Sequence, residues 1–295
     1  MRRRTLLGAA LLAACGFLGA GAAAAPRFTH GLLWRVGHAG VPPSYVFGTI
    51  HLADPRALQL PDPVVAALSR SRTFAMEAPI GPGHERGMYE GAQFDDGRRL
   101  EPLIGAEAYA RIRAMLAARG IPDRVIAQLK PWAALANIAV TPEGYESETL
   151  DQKLAAMALA RHMHLEALEG TEEHIAVFDG IPMDSQIAML KHALANRDYL
   201  ASMIEPTLEA WLRRDLAGIR AVDRRIVKRF PDMAPHYAAF EKHVVRDRNA
   251  AMAHRLFLPL RRGRVFVAVG AMHLYGDAGI LRLIEQQGYR LTRVY

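Results

Sequence analysis

Two histidines stand in the same local setting at opposite ends of this sequence, in Gly48-Thr49-Ile50-His51 and in Gly270-Ala271-Met272-His273, each just past an apolar run of strand character. Neutral imidazole binds Zn, Mn, Fe, Co or Ni, and a carboxylate commonly completes such a site, so a pair of strand-end histidines points to one divalent metal. The spacing by itself is weak, because 24 Gly and 12 His produce Gly-x-x-His by chance. A strand-end His bonded to a backbone carbonyl fits the same pattern. Glu77 strengthens the metal reading: it closes the apolar segment Phe74-Ala75-Met76-Glu77, and a carboxylate there is costly unless paired, protonated or metal-bound. Glu169 closes a similar segment before Gly170-Thr171, where capping of the next helix is the competing role. Arg248 and Asn249 are adjacent on a helical stretch; Arg could clamp a carboxylate or stabilise an oxyanion, and Asn could orient a substrate. Solvated helix positions are the competing reading for this pair.

The elements that must position these groups are legible as patterns. Leu32 to Gly37 and Ser44 to Ile50 read as a β-hairpin, with Gly37 to Pro43 as its turn. A helix follows Pro61-Asp62-Pro63, then a short strand ends at Glu77, and residues 80–98, rich in Gly, Pro and mixed charge, read as a loop. From about Gly105 to Phe230 the periodicity is helical, with a kink expected at Pro131, one long helix from Pro206, and a short strand from His164 to Glu169. A long helix from Pro235 precedes the strand Arg264 to Val269, and a helix from Gly276 and a strand to Tyr295 end the chain. The expected fold class is α/β: a mixed central sheet built from two related strand, Gly-x-x-His, helix, strand halves and covered by a largely helical middle. In such sheets ligand groups gather at the carboxyl ends of strands.

Composition narrows the function. Residues 1–25 read as a signal peptide: Arg2-Arg3-Arg4 is a basic start, an uncharged Leu/Ala/Gly run follows, and Ala23-Ala24-Ala25 offers a cleavage site. Arg3-Arg4-Thr5-Leu6-Leu7 suits a Tat signal as well as a Sec signal. Leu12-Ala13-Ala14-Cys15 offers lipidation at Cys15, and an uncleaved membrane anchor is a third option. Cleavage after Ala25 removes the single Cys, excluding thiol catalysis and disulfides, and lowers the formal net charge from +7 to +4. So small a surplus makes no case for nucleic acid. Residues 26–295 are then read as a single domain. His162 and His164 read as a solvated edge, the remaining helical histidines including His174 receive no role, and Arg213 to Arg229 form a solvated basic face. No Gly-x-Ser-x-Gly elbow, His-Glu-x-x-His helix or phosphate-binding loop occurs.

These residues together resemble the TraB/PrgY/GumN family, related to the Tiki proteases and more distantly to erythromycin-esterase-like and ChaN-like proteins. The resemblance runs from Phe47-Gly48-Thr49-Ile50-His51 through Lys130-Pro131-Trp132, Leu168-Glu169 and Arg248-Asn249 to Val269 to Gly276, Gly279-Ile280 and Gly288 to Leu291. It departs at Met272, where relatives often carry a second Gly before the His. The resemblance implies an α/β fold with one site made by both ends of the chain, a divalent metal (Mn, Co or Zn) on His51, Glu77 and His273, and supporting or catalytic roles for Glu169 and Arg248. The expected activity is that of an exported, periplasmic or extracellular metal-dependent hydrolase acting on a peptide or amide bond. Glu169 is then the general base, Arg248 the oxyanion stabiliser and Asn249 a substrate-orienting group. The expected partner is a peptide or small envelope substrate, with no nucleic acid and with the N-terminal segment as an optional membrane tether. The alternative is a non-catalytic envelope protein that binds metal, peptide or glycan, or serves polysaccharide export.

Overall fold

The computed structural model describes residues 26–139 and 148–295; residues 1–25, expected to be a signal segment, lie with Cys15 outside the described residues. A mixed six-stranded sheet organises the chain: β1 (Leu33–His38), β2 (Val41–Thr49), β3 (Thr73–Met76), β4 (His164–Ala167), β5 (Val265–Gly270) and β6 (Arg290–Arg293), in the order β4-β3-β5-β2-β1-β6. β4, β3, β5 and β2 run parallel, while β1 is antiparallel to both β2 and β6. The parallel part has helices on its faces, so its inner strand β5 is apolar without alternation and every residue of it is buried, whereas the edge strand β4 has no buried residue. Phe74 stacks on Phe266 across β3 and β5, with ring centroids 6.1 Å apart. Among the described residues no helix is long and apolar enough to cross a membrane.

The hairpin turn is tighter than the sequence suggests. Only Ala39 and Gly40 lie outside the two strands, with Gly40 at φ +73°, and Pro42 and Pro43 belong to β2. They are tolerated there because pairing with β5 begins only at Tyr45, so no ladder hydrogen bond is lost on that side.

The segment read as a loop contains a helix, Pro82–Gly91. Its glycines serve close packing: a Cβ on Gly87 would lie 2.6 Å from Thr171 Cγ2, and one on Gly91 would lie 2.5 Å from Ile175 Cδ1. Gly and Pro therefore mark a crowded helix pair here, between Pro82–Gly91 and Thr171–Asp179. Pro131 starts a separate helix, Pro131–Ala139, where its missing N–H costs nothing. The stretch from Pro206 divides into Ile204–Leu212 and Leu216–Arg229, separated by Arg214 at φ 62° and capped by Asp215, which accepts from Gly218 N at 2.8 Å. The final helix is shorter than expected, Ile280–Gln286.

Two apolar cores result. One surrounds the sheet and includes Phe47, Phe74, Trp211 and Phe266. The other is helical and includes Met88, Leu116, Trp132 and Phe240. The helix Ala234–Glu241 continues through a π-helical stretch, Lys242–Asp247, directly into Arg248–Arg262. Such wide turns occur at functional sites, and this one immediately precedes Arg248.

Candidate functional site

Parallel pairing puts the ends of β2 and β5 side by side, with Thr49 opposite Gly270. His51 lies two residues past β2, and His273 ends a 3-10 turn, Ala271–His273, directly after β5. Glu77 follows β3, the other neighbour of β5, and Glu169 follows β4 beside it, their backbones joined by a Glu169 N–H to Glu77 carbonyl bond of 2.8 Å. Arg248 and Asn249 reach in from the helix start. The structure thus brings all six sequence-selected residues to the carboxyl ends of the parallel strands.

The two imidazoles are oriented by their Nδ1 atoms. His51 Nδ1 is 2.8 Å from Asp151 Oδ2, and Asp151 Oδ1 accepts from Thr49 Oγ1 at 2.7 Å. His273 Nδ1 is 2.7 Å from Asn249 Oδ1, and Asn249 Nδ2 donates to the Ala278 carbonyl at 2.8 Å. In the neutral ring, Nδ1–H donating in each case leaves each Nε2 with its lone pair, which His51 must lose a proton to offer. Both Nε2 atoms then face Glu77 Oε1, at 3.9 Å from His51 and 3.7 Å from His273.

Glu77 Oε1 also accepts the Gly270 N–H at 2.6 Å, and Oε2 accepts from Arg248 Nη2 at 2.6 Å. Arg248 continues to Glu169 through Nε at 2.8 Å and Nη2 at 2.9 Å, and its Nη1 is 3.4 Å from His273 Nε2. Glu169 Oε2 additionally faces His174 Nδ1 at 3.2 Å.

Electrostatics follow from these contacts. Burial opposes ionisation of Glu77, but Arg248 and the neighbouring imidazoles outweigh it and hold the carboxyl well below its usual range. Burial likewise opposes charge on Glu169, and His174 and Arg248 bring it below its usual range. Burial pushes His273 down to about 4, against the attraction of Glu77, so its ring is neutral at pH 7. His51 moves the other way: burial lowers it, but Asp151 and Glu77 raise it further. Its side chain is 43% exposed at the mouth of the cleft, where water screens these charges.

The glycines of the two Gly-x-x-His segments act through closeness, since neither is among the residues at positive φ. A Cβ on Gly48 would meet Leu274 Cδ1 at 2.8 Å and Ala271 Cα at 3.0 Å, so Gly48 lets β2 abut the turn that carries His273. A Cβ on Gly270 would lie 3.1 Å from His51 Nε2, 3.4 Å from Glu77 Oε1 and 3.5 Å from His273 Cδ2. That space is bounded by two imidazoles and a carboxylate, a donor set suited to a divalent ion. Among the described residues no group of three or more His, Cys, Asp and Glu forms a ready metal cage. Donor atoms on an ion with bonds of about 2.1 Å lie roughly 3.4 Å apart, so the 3.7 and 3.9 Å separations need to close by a few tenths of an ångström. The two imidazole-to-carboxylate separations fit an ion after that small contraction.

Two of these side chains have their contacts directed at neighbouring residues. Asn249 holds His273 through Oδ1 and the Ala278 carbonyl through Nδ2 and is 2% exposed, a setting that suits positioning the imidazole. Glu169 is bonded to Arg248, faces His174 and is 4% exposed, a setting that suits anchoring the guanidinium. Two contributors were missed. Asp151 lies in the first turn of the helix Leu150–Ala160, behind a Thr149/Gln152 capping box, where an acidic residue reads as ordinary helix-start chemistry. His174 was set aside as a helical His, and nothing in its spacing marked the contact with Glu169.

Above these groups opens a cleft of about 350 Å³, walled by apolar side chains including Met76, Met88, Trp132, Phe178 and Trp211 and reached by His84 and His174. It lies where the two cores meet. Trp132, singled out with Lys130 and Pro131 in the sequence, stacks on Phe178 at 4.9 Å, and its Nε1 and Lys130 Nζ both bond Asp179.

Comparison with known proteins agrees with this architecture in its extent. The "Uncharacterized protein YbaP" of Shigella flexneri is 23% identical over 247 residues, covering 82% of this chain and 88% of that protein. Its Escherichia coli (strain K12) counterpart is 22% identical over 246 residues, covering 82% and 87%. No solved structure matches. The sequence profile of the TraB/PrgY/gumN family matches residues 32–293, from the sheet's first strand to its last, and the chain belongs to that family.

Proposed function

We propose that this protein is an exported metal-dependent hydrolase that cleaves a peptide or amide bond at the strand-end cleft. The observation that carries the reading is the pair of Nε2 atoms, each fixed through Nδ1, facing one carboxylate oxygen across the space left by Gly270. His51, His273 and Glu77 would hold the ion. A divalent Mn, Co or Zn bound there supplies Lewis acidity, which acidifies water and polarises a carbonyl.

The chain's own residues do the rest. Asp151 and Asn249 fix the imidazole tautomers, as partners behind metal-binding histidines commonly do. Arg248 orients Glu77 and places a fixed positive charge beside His273, where negative charge developing on a substrate oxygen is stabilised. Glu169 anchors that guanidinium from behind. His174 faces Glu169 through Nδ1 and lines the cleft; a carboxylate on Nδ1 leaves Nε2 as the proton-accepting atom, so His174 takes the base role. The apolar walls exclude bulk water and suit uncharged, apolar segments of substrate.

Tag-free protein assayed against a peptide library with Mn, Co or Zn is expected to release product only with metal. His51→Ala and His273→Ala should each lower that rate at least about a hundredfold. Turnover that survives both chelation and these substitutions would refute the proposal. One observation favours the non-catalytic alternative: Arg248 occupies carboxylate oxygens of both glutamates. Ligand-induced stabilisation without product at any metal would establish it.

A further inference from the structure

The cleft that Glu77 lines is also walled by the helices Ile204–Leu212 and Leu216–Arg229, through Thr207, Trp211, Ile219 and Asp223. The helix Leu216–Arg229 packs against the turn Ala271–His273, so this wall adjoins the site directly. Most of its polar capacity is spent. Thr207 Oγ1 donates to the Met203 carbonyl at 2.8 Å, and Trp211 Nε1 donates to the Gly48 carbonyl at 3.1 Å. Asp223 differs: its residue is 4% exposed, and its Oδ2 is buried with no hydrogen-bond partner.

The charged groups around it are Arg220, Glu241 and Arg224. Arg220 Nη1 stands 3.9 Å away, beyond hydrogen-bond reach, and Arg220 makes its close ion pair with Glu241. A buried polar atom without a partner costs about 1–3 kcal/mol, a cost tolerated at sites that use the group. Burial, the largest influence, holds the Asp223 carboxyl well above its ordinary range and favours the protonated form, which offers one donor and one acceptor.

The surroundings select among ligands. A cation approaching Asp223 would meet Arg220 and Arg224 on the same helix, and an anion would have to shed its water against Trp211 and Ile219. A neutral amide suffers neither penalty and pairs its carbonyl and N–H with a carboxyl group.

We propose that Asp223 is the polar anchor of a substrate subsite that binds an uncharged amide group, as found along a peptide backbone, beside the hydrolytic centre. The assignment rests on the peptide or amide reading for its substrate class, but binding at this wall needs neither metal nor turnover.

The test uses metal-free protein and N-acetyl-leucinamide, a neutral diamide, titrated calorimetrically. Wild type should bind it saturably, and Asp223→Asn, which keeps a donor and an acceptor, should bind within about threefold. Asp223→Leu should bind at least about tenfold more weakly, the loss expected for one well-made hydrogen bond, while melting no lower than wild type because an unsatisfied group is removed. The proposal is overturned if wild type does not bind the probe, if Asp223→Leu loses less than tenfold, or if Asp223→Asn is as weak as Asp223→Leu. The last result would mean that an ionised carboxylate, accepting from the amide N–H, holds the probe instead of a protonated carboxyl pairing with both amide atoms. Failure to bind metal or to hydrolyse peptides would leave these titrations unchanged, so the two readings fail separately.

Discussion

Arg248 shows how one side chain can organise a site: its guanidinium is 5% exposed and spans Glu77 and Glu169 while touching His273. Removing one partner of such a buried pair costs about 3–5 kcal/mol, because uncompensated charges remain. Asp223 is the opposite case, a buried carboxyl whose Oδ2 has no hydrogen-bond partner and whose nearest guanidinium nitrogen, on Arg220, is 3.9 Å away, and its titration can be followed in stability. Its folded-state pKa is raised, so above the ordinary value of 3.8 the folded protein binds more protons at this position than the unfolded chain does. Its contribution is therefore favourable at low pH and is lost as pH rises from about 3.8 through the folded pKa. Denaturant titrations of Asp223→Asn and wild type should give equal stabilities near pH 4. The variant's advantage should grow to about 1–3 kcal/mol by pH 8. A pH-independent difference would show that the carboxyl is not perturbed in this way.

At the scale of elements, packing at glycine does work that sequence patterns misread. Gly87 and Gly91 let the helix Pro82–Gly91 approach Thr171–Asp179, which carries His174. Gly87→Val should destabilise the protein by about 1–3 kcal/mol through overpacking against Thr171, measured by chemical denaturation; a neutral effect would mean that the helix pair is not close-packed. The same residue type explains what was and was not legible beforehand. The strands, the order of elements and the strand-end positions of His51, Glu77, Glu169 and His273 follow from apolar runs and their breaks, because a parallel sheet writes itself as short buried segments. The helix at Pro82 was invisible because Gly and Pro count as breakers, although Gly here provides contact and Pro a helix start. Asp151 was invisible because its link to His51 spans 100 residues and leaves no local pattern. The division of the Pro206 helix depends on Arg214 at positive φ, which periodicity does not encode.

For the whole molecule, the cleft joins the sheet-centred core to the helical one. Phe74 and Met76 line it from the first, Met88 and Trp132 from the second, and Arg248 ties the ends of β3 and β4 to the helix that crosses them. On the proposed function, this assembly leaves room for one ion at Gly270. Gly270 has φ −54° and ψ 139°, a conformation open to alanine, so Gly270→Ala should fold normally while its Cβ fills the space among His51, Glu77 and His273. The decisive measurement is metal content after chelation and reloading with Mn, Co or Zn, by mass spectrometry on tag-free wild type and Gly270→Ala side by side. One ion per wild-type chain is expected, with most or all of it lost in a Gly270→Ala protein whose circular dichroism spectrum is unchanged. Wild type without stoichiometric metal, or Gly270→Ala with a full complement, would contradict it.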